Sequence, residues 1–122
     1  MKKYSLNIKE RKSYLYASVS GKDSMDVSIA YWKEIIDACK RLDYHKVLIE
    51  EDLKGSPEKV DYFEFGTFMS NIVRGLHMKI AFVDRHTNHT PDNLFCETVA
   101  VNRGVNVKVC KNIEEAEDWL SS

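Results

Sequence analysis

Proline and glycine are scarce, two and five in 122 residues, too few for a collagen-like, low-complexity or linker-rich chain. Three cysteines, Cys39, Cys96 and Cys110, form an odd set with no Cys-x-x-Cys pair, which argues against both a disulfide framework and a structural zinc site. Each falls on the apolar register of a helix or strand, where a reduced thiol packs as a small hydrophobe. No apolar run approaches the roughly 18 residues of a bilayer-spanning helix. The opening Met-Lys-Lys-Tyr-Ser leads into polar alternation instead of a signal-peptide hydrophobic region, so a cytoplasmic protein without a transmembrane segment is expected. A charge excess is missing as well. Eighteen Lys plus Arg stand against 19 Asp plus Glu, a formal −1, and without a broad cationic field no nucleic-acid partner is expected.

What is present is a globular composition, 43% hydrophobic and 30% charged, at a length that fits one domain over residues 1–122 with its own core. Tyr4, Leu6 and Ile8 alternate with Ser5, Asn7 and Lys9, the period of a half-buried strand. A charged turn over residues 10–13 leads to a second apolar run ending at Gly21, so the two form a hairpin. Asp23 or Ser24 caps a helix whose Ile29, Trp32, Ile35, Ile36, Cys39 and Leu42 recur at three- and four-residue spacing. A short strand over residues 46–49 stops at Glu50, Glu51 and Asp52, and Lys54, Gly55, Ser56 and Pro57 make a loop. With Tyr62 and Phe63 in the turn before them, Phe65, Phe68, Met69, Ile72, Val73 and Leu76 share a second helical face.

Residues 79–83 form another buried strand, Thr90 and Pro91 open a third helix, residues 105–110 form the last strand, and Asn112 caps a terminal helix. The order predicts an α/β fold: a single-layer, mixed and mainly parallel five-stranded sheet with four helices. In such sheets ligands bind at the carboxyl ends of the parallel strands. That edge collects residues 20–23, 50–56, 84–89 and 110–112.

Chemistry along this edge is sparse. Asp84, His86 and His89 are residue types that suit a divalent ion, yet they match no specific ligand spacing and read as polar loop. Glu50, Glu51 and Asp52 resemble an acidic magnesium pocket, but no phosphate-cradling glycine loop accompanies them. No metal, no cofactor and no catalytic set is therefore assigned. The rings of Tyr62, Phe63, Phe65 and Phe68 are read chiefly as core, with any exposed ones marking a partner or ligand surface.

The element order, the strand Lys79-Ile80-Ala81-Phe82-Val83 and the ending Glu115-Ala116-Glu117-Asp118-Trp119-Leu120 carry a likeness over nearly the whole chain. The sequence resembles the STAS superfamily of anti-sigma-factor-antagonist-like (SpoIIAA-like) domains. That resemblance implies a non-enzymatic regulatory or protein-interaction module, with a branch similar to CRAL-TRIO lipid-transfer domains. Signalling members carry an Asp-Ser-Ser-Gly-type turn at the start of the second helix. Here the corresponding stretch is Asp61-Tyr62-Phe63-Glu64, which keeps an acid and places aromatics where the phosphorylatable serine would stand. Ser56 is the hydroxyl of the preceding loop. The resemblance thus points to Ser56, Asp61, Tyr62, Phe63 and Glu64, with Asp84 and His86 on the same rim, as the residues that meet a protein partner or a second copy in a homodimer. The alternative is a binder of lipid or another apolar small molecule; a metal-dependent enzyme ranks behind both.

Overall fold

Strand β1 (Tyr4–Glu10) pairs antiparallel with β2 (Leu15–Lys22), and β3 (Lys46–Lys54), β4 (Lys79–Asp84) and β5 (Val107–Cys110) follow in parallel, giving one sheet in the order β1-β2-β3-β4-β5. This is a computed structural model that describes residues 3–55 and 60–122. Four α-helices alternate with the strands: α1 (Met25–Leu42), α2 (Tyr62–Val73), α3 (Thr90–Asn102) and α4 (Ile113–Ser121), with a short 3-10 turn, Thr87–His89, before α3. The mixed, mainly parallel five-stranded sheet and four helices expected from the sequence are those observed.

Alternation along the strands explains the layering. Leu15, Ala17, Val19, Val47, Ile49, Leu53, Ile80 and Phe82 point to one face, where they meet Tyr31, Trp32 and Ile35 of α1, Phe65 and Met69 of α2 and Ala100 of α3. Leu48, Ala81, Val83 and Cys110 point to the other, under Ala116 and Leu120 of α4. Burial of a Leu or Ile side chain contributes about 1.5–3 kcal/mol, so central β3 and β4, apolar on both faces, anchor the sheet.

Local signals set the helix ends. Ser24 accepts from the Val27 N–H at 3.1 Å, Asp61 from Glu64 at 3.0 Å and Asn112 from Glu115 at 2.8 Å, each a side-chain cap at a helix start. Asp43 closes α1 in the left-handed conformation, φ 61°. Several boundaries differ from expectation, among them the end of α2, which stops at Val73 and leaves Leu76 outside the helix. β3 does not stop at the acidic residues but continues to Lys54, since β2 pairs with it in register as far as Lys22↔Lys54; partner pairing overrides the low strand propensity of Glu and Asp. β5 starts at Val107, where pairing with Ile80 begins. Tyr62 and Phe63 lie inside α2, because the Asp61 cap places the helix start before them. Among the described residues no helix is long and apolar enough to cross a membrane.

Candidate functional site

Because successive side chains on a strand face opposite ways, the continued β3 splits its acidic run. Glu50 and Asp52 turn to the face that carries α4. There Glu50 accepts from the Tyr16 hydroxyl and lies 3.2 Å from Arg85 Nε, while Asp52 Oδ1 lies 2.7 Å from His86 Nε2. Glu51, in phase with Val47 and Ile49, turns beneath α1 and is 6% exposed.

Around Glu51 a polar group has assembled within apolar surroundings. Its carboxyl accepts from the Tyr31 hydroxyl, and that oxygen in turn accepts from the Trp32 indole N–H at 3.1 Å. Burial pushes Glu51 up to about 8; the Tyr31 hydrogen bond works against this, and the nearby Asp84 and Asp23 charges add to it. Tyr31 is raised well above its ordinary value by burial and then by Glu51. Asp84, at the end of β4, accepts from the His86 backbone N–H at 2.8 Å and from Asn93 Nδ2 at 2.8 Å, and lies 3.0 Å from His89 Nδ1. The other ring nitrogen of His89 lies 2.7 Å from the Gly55 carbonyl. Only a protonated imidazole donates from both nitrogens. Burial opposes that charge, yet the Gly55 carbonyl and Asp84 outweigh it and His89 is raised. Asp23 Oδ2 stands 3.9 Å from His89 Nε2, and burial raises its carboxyl despite that imidazole.

Glu51, Asp84 and His89 each offer one metal-ligand-type atom, all within 4.8 Å of one another. Those atoms are engaged: Glu51 with Tyr31, Asp84 with three donors, His89 with Gly55 and Asp84. The His86 ring lies 5.4 Å from that of His89, centre to centre, but its Nε2 is directed to Asp52 and not to the triad. Among the described residues the three cysteines have no activating base; burial pushes the Cys39 thiol to about 12 and Cys96 to about 11, and raises Cys110. High thiol values make poor nucleophiles.

Beside the carboxyl group lies a pocket of about 100 Å³, half open to solvent, between α1, α2, α3 and the sheet, with Glu51, Asp23, Trp32, Phe65, Tyr62 and Cys96 on its walls. Outside it, the start of α2 meets α3 in a ring cluster. Phe63 and Phe95 stand edge to face at 5.7 Å, as do Tyr62 and Phe95. Phe63 is 58% exposed, Leu94 46% and Phe95 45%, and Asp61, Glu64 and Asp92 lie exposed around them. Arg103 sits 5.8 Å from the Phe63 ring centre.

The residues singled out in sequence therefore fall in two places. Asp61, Tyr62, Phe63 and Glu64 form the first turn of α2, with Phe63 and Glu64 outward and Tyr62 against the cavity. Asp84 and His86 sit at the end of β4, Asp84 facing inward and His86 toward Asp52. Ser56 lies outside the described residues. Sequence reasoning placed Asp23 on this edge but passed over Glu51 as a buried group, and over Tyr31, Asn93 and Phe95. The two-residue phase of Glu51 with Val47, Ile49 and Leu53 was the available signal.

No protein-family model matches the chain, and no curated protein does. Among solved structures it is similar to an anti-sigma factor antagonist from Mycobacterium paratuberculosis, with 12% identity over 98% of this chain and 95% of that one and a TM-score of 0.62. It is also similar to RsbS from Moorella thermoacetica, with 14% identity over 95% of this chain and 94% of that one and a TM-score of 0.53. At such identities the likeness concerns the fold alone, which this chain shares with both structures over nearly its whole length.

Proposed function

We propose that this chain is a non-enzymatic regulatory module that binds a protein partner through the first turn of α2, the loop before it and the adjoining start of α3. The observation that carries this reading is the exposed ring cluster of Phe63 and Phe95 with Leu94. Apolar anchors ringed by charge are the pattern of interface hot spots. The described rim is mainly acidic, Asp61, Glu64 and Asp92 against Arg103, so the partner offers an apolar centre within a mainly basic surround. Ser56, outside the described residues, is included in the proposal on its place in the sequence before α2. Asp84 and His86 support it from behind, since Asp84 holds the His86 backbone and, through Asn93, the first turns of α3. The similar architecture of an anti-sigma factor antagonist supports a regulatory role over catalysis, and such a module works in the cytoplasm.

The experiment is reconstitution. A partner obtained with the native chain is purified separately, and its affinity is measured by calorimetry for the native protein, Phe63→Asp and Ser56→Glu. Phe63→Asp is expected to weaken binding at least about 30-fold, the scale of a hot-spot loss of about 2 kcal/mol, with an unchanged circular dichroism spectrum. Equal affinity in both variants discards the surface. Sedimentation of the purified chain covers the homodimer form of the proposal: a dimer abolished by Phe63→Asp makes the partner a second copy.

A small-molecule binder is the second reading, favoured by the cavity. Drug-sized ligands occupy roughly 300–1,000 Å³, and about 100 Å³ holds a compact ligand far better than a lipid chain.

A further inference from the structure

The two edges of the sheet are finished differently. At one edge β5 has only four residues, and its Val109 N–H is taken by the Glu97 carboxylate of α3 at 2.6 Å, so a side chain blocks further pairing there. At the other edge β1 runs for seven residues in unbroken register with β2. The Arg11 N–H donates to the Tyr14 carbonyl at 3.0 Å, and on the far side of β2 the Asp23 N–H donates to Lys54 at 2.8 Å. Antiparallel bonding alternates residue by residue, so the odd-numbered residues of β1 bond to β2, and the N–H and C=O of Leu6 and Ile8 point away from the sheet. Among the described residues nothing bonds to those groups. Sheet edges are commonly blunted by proline, a bulge, an inward charge or a covering element. Between its ends β1 has no proline, bulge or inward charge, and no described element covers it. Leu6 and Ile8 are only half-buried beside α1, while Ser5, Asn7 and Lys9 are exposed on the opposite face.

We propose that β1 pairs antiparallel with β1 of a second copy, about a twofold axis through Asn7 and normal to the sheet, so that the two sheets become continuous. Leu6 of each copy then exchanges both main-chain hydrogen bonds with Ile8 of the other. The strand is complementary to itself in this register. Tyr4–Glu10 pairs along its whole length, Lys9 stands opposite Ser5 of the second copy, and Asn7 meets Asn7. Centring on Leu6 would set Lys9 against Lys3, a like-charge pair that destabilises a sheet. Centring on Ile8 would leave Tyr4 and Ser5 against the turn after Glu10. Beside α1, Leu6 and Ile8 of both copies form one cross-strand apolar cluster, which completes the cover they lack in a single chain. A contact of this kind uses the same patch on both partners and closes at two copies. It lies on β1, at the edge of the sheet away from β5, and leaves the ring cluster on α2 and α3 of each copy open to a partner.

The test is sedimentation equilibrium of the full chain at low salt, from micromolar to near-millimolar concentration, where the native protein is expected to form a dimer. Asn7→Lys and Asn7→Asp each set like charges face to face at the twofold axis from an exposed position. Each is expected to weaken the dimer about fivefold, the upper range for one cross-strand pair, with an unchanged circular dichroism spectrum. An equal mixture of the two variants is expected to restore association, since Lys then faces Asp. Amide hydrogen exchange of the native chain gives the second readout and needs no variant. The Leu6 and Ile8 amides are expected to gain protection as concentration rises, while the Asn7 amide, bonded to β2, is protected throughout. A chain that stays monomeric, a dimer indifferent to both Asn7 variants, or Leu6 and Ile8 amides whose exchange ignores concentration would each overturn the assignment. Phe63→Asp is expected to leave this dimer intact, and a dimer that it alone abolishes belongs to the ring cluster instead.

Discussion

Glu51 stores a pH dependence in a single side chain. Its carboxyl titrates near 8 in the fold against an ordinary 4.5, so as pH rises above about 5 the unfolded chain releases this proton while the folded one keeps it. The folded state then binds more protons, and stability falls with rising pH through the window between those values. His89, also raised, acts with the same sign: above its ordinary 6.5 the unfolded imidazole is neutral while the folded one is still charged. Glu51→Gln retains an oxygen for the Tyr31 hydroxyl and removes the titration. Its melting temperature is therefore expected to exceed that of the native chain by a margin that widens from pH 5 to pH 8. Melting curves at four pH values check this, and parallel curves would contradict it. At this scale the sequence was only partly legible. Three consecutive acids look alike in a string, and which one is buried depends on how far β2 prolongs the pairing of β3, a fact held by residues 32 positions away. Tyr31 was hidden for a related reason: its hydroxyl marks it as surface-seeking until a buried acceptor is known.

Helices were easier to read because their signals are local. Ser24 and Asn112 cap where a hydroxyl or amide precedes an apolar repeat, and Pro91 sits in the first turn of α3. Less visible was the closeness of α2 and α3. A Cβ placed on Gly66 would come within 2.5 Å of Val99 Cγ1, so glycine is what lets the two helices approach and bring Phe63 beside Phe95. Gly66→Ala gains helix propensity of up to about 1 kcal/mol but meets overpacking of about 1–3 kcal/mol. The expected net loss is about 1–2 kcal/mol in urea unfolding, recovered in part by Val99→Ala in the same chain. A Gly66→Ala protein more stable than the native one would show that the helices separate freely. The ring cluster itself escaped sequence reasoning on the α3 side: Leu94 and Phe95 carry no helical stripe of their own, and their exposure follows from what α2 leaves uncovered.

For the molecule as a whole, alternation of strands with amphipathic helices was enough to read a mixed sheet and its edge, since crossover handedness and short connections leave few arrangements. The two faces differ in cover. Three helices lie on one and α4 alone on the other, yet both rest on the same central strands, so the faces should melt together. Leu120→Ala, from a side chain 2% exposed under α4, is expected to cost about 2–5 kcal/mol. In a Trp119→Phe background the fluorescence of Trp32, on the opposite face, should then shift its midpoint in step with far-ultraviolet dichroism. Separate midpoints would mean two units. Tyr62 adds a last consequence, for its ring stands both on the cavity wall and edge-on to Phe95 outside. A guest that turns this ring alters the exterior, and thermodynamic reciprocity requires that a visitor docked outside alter the guest's hold by the same factor.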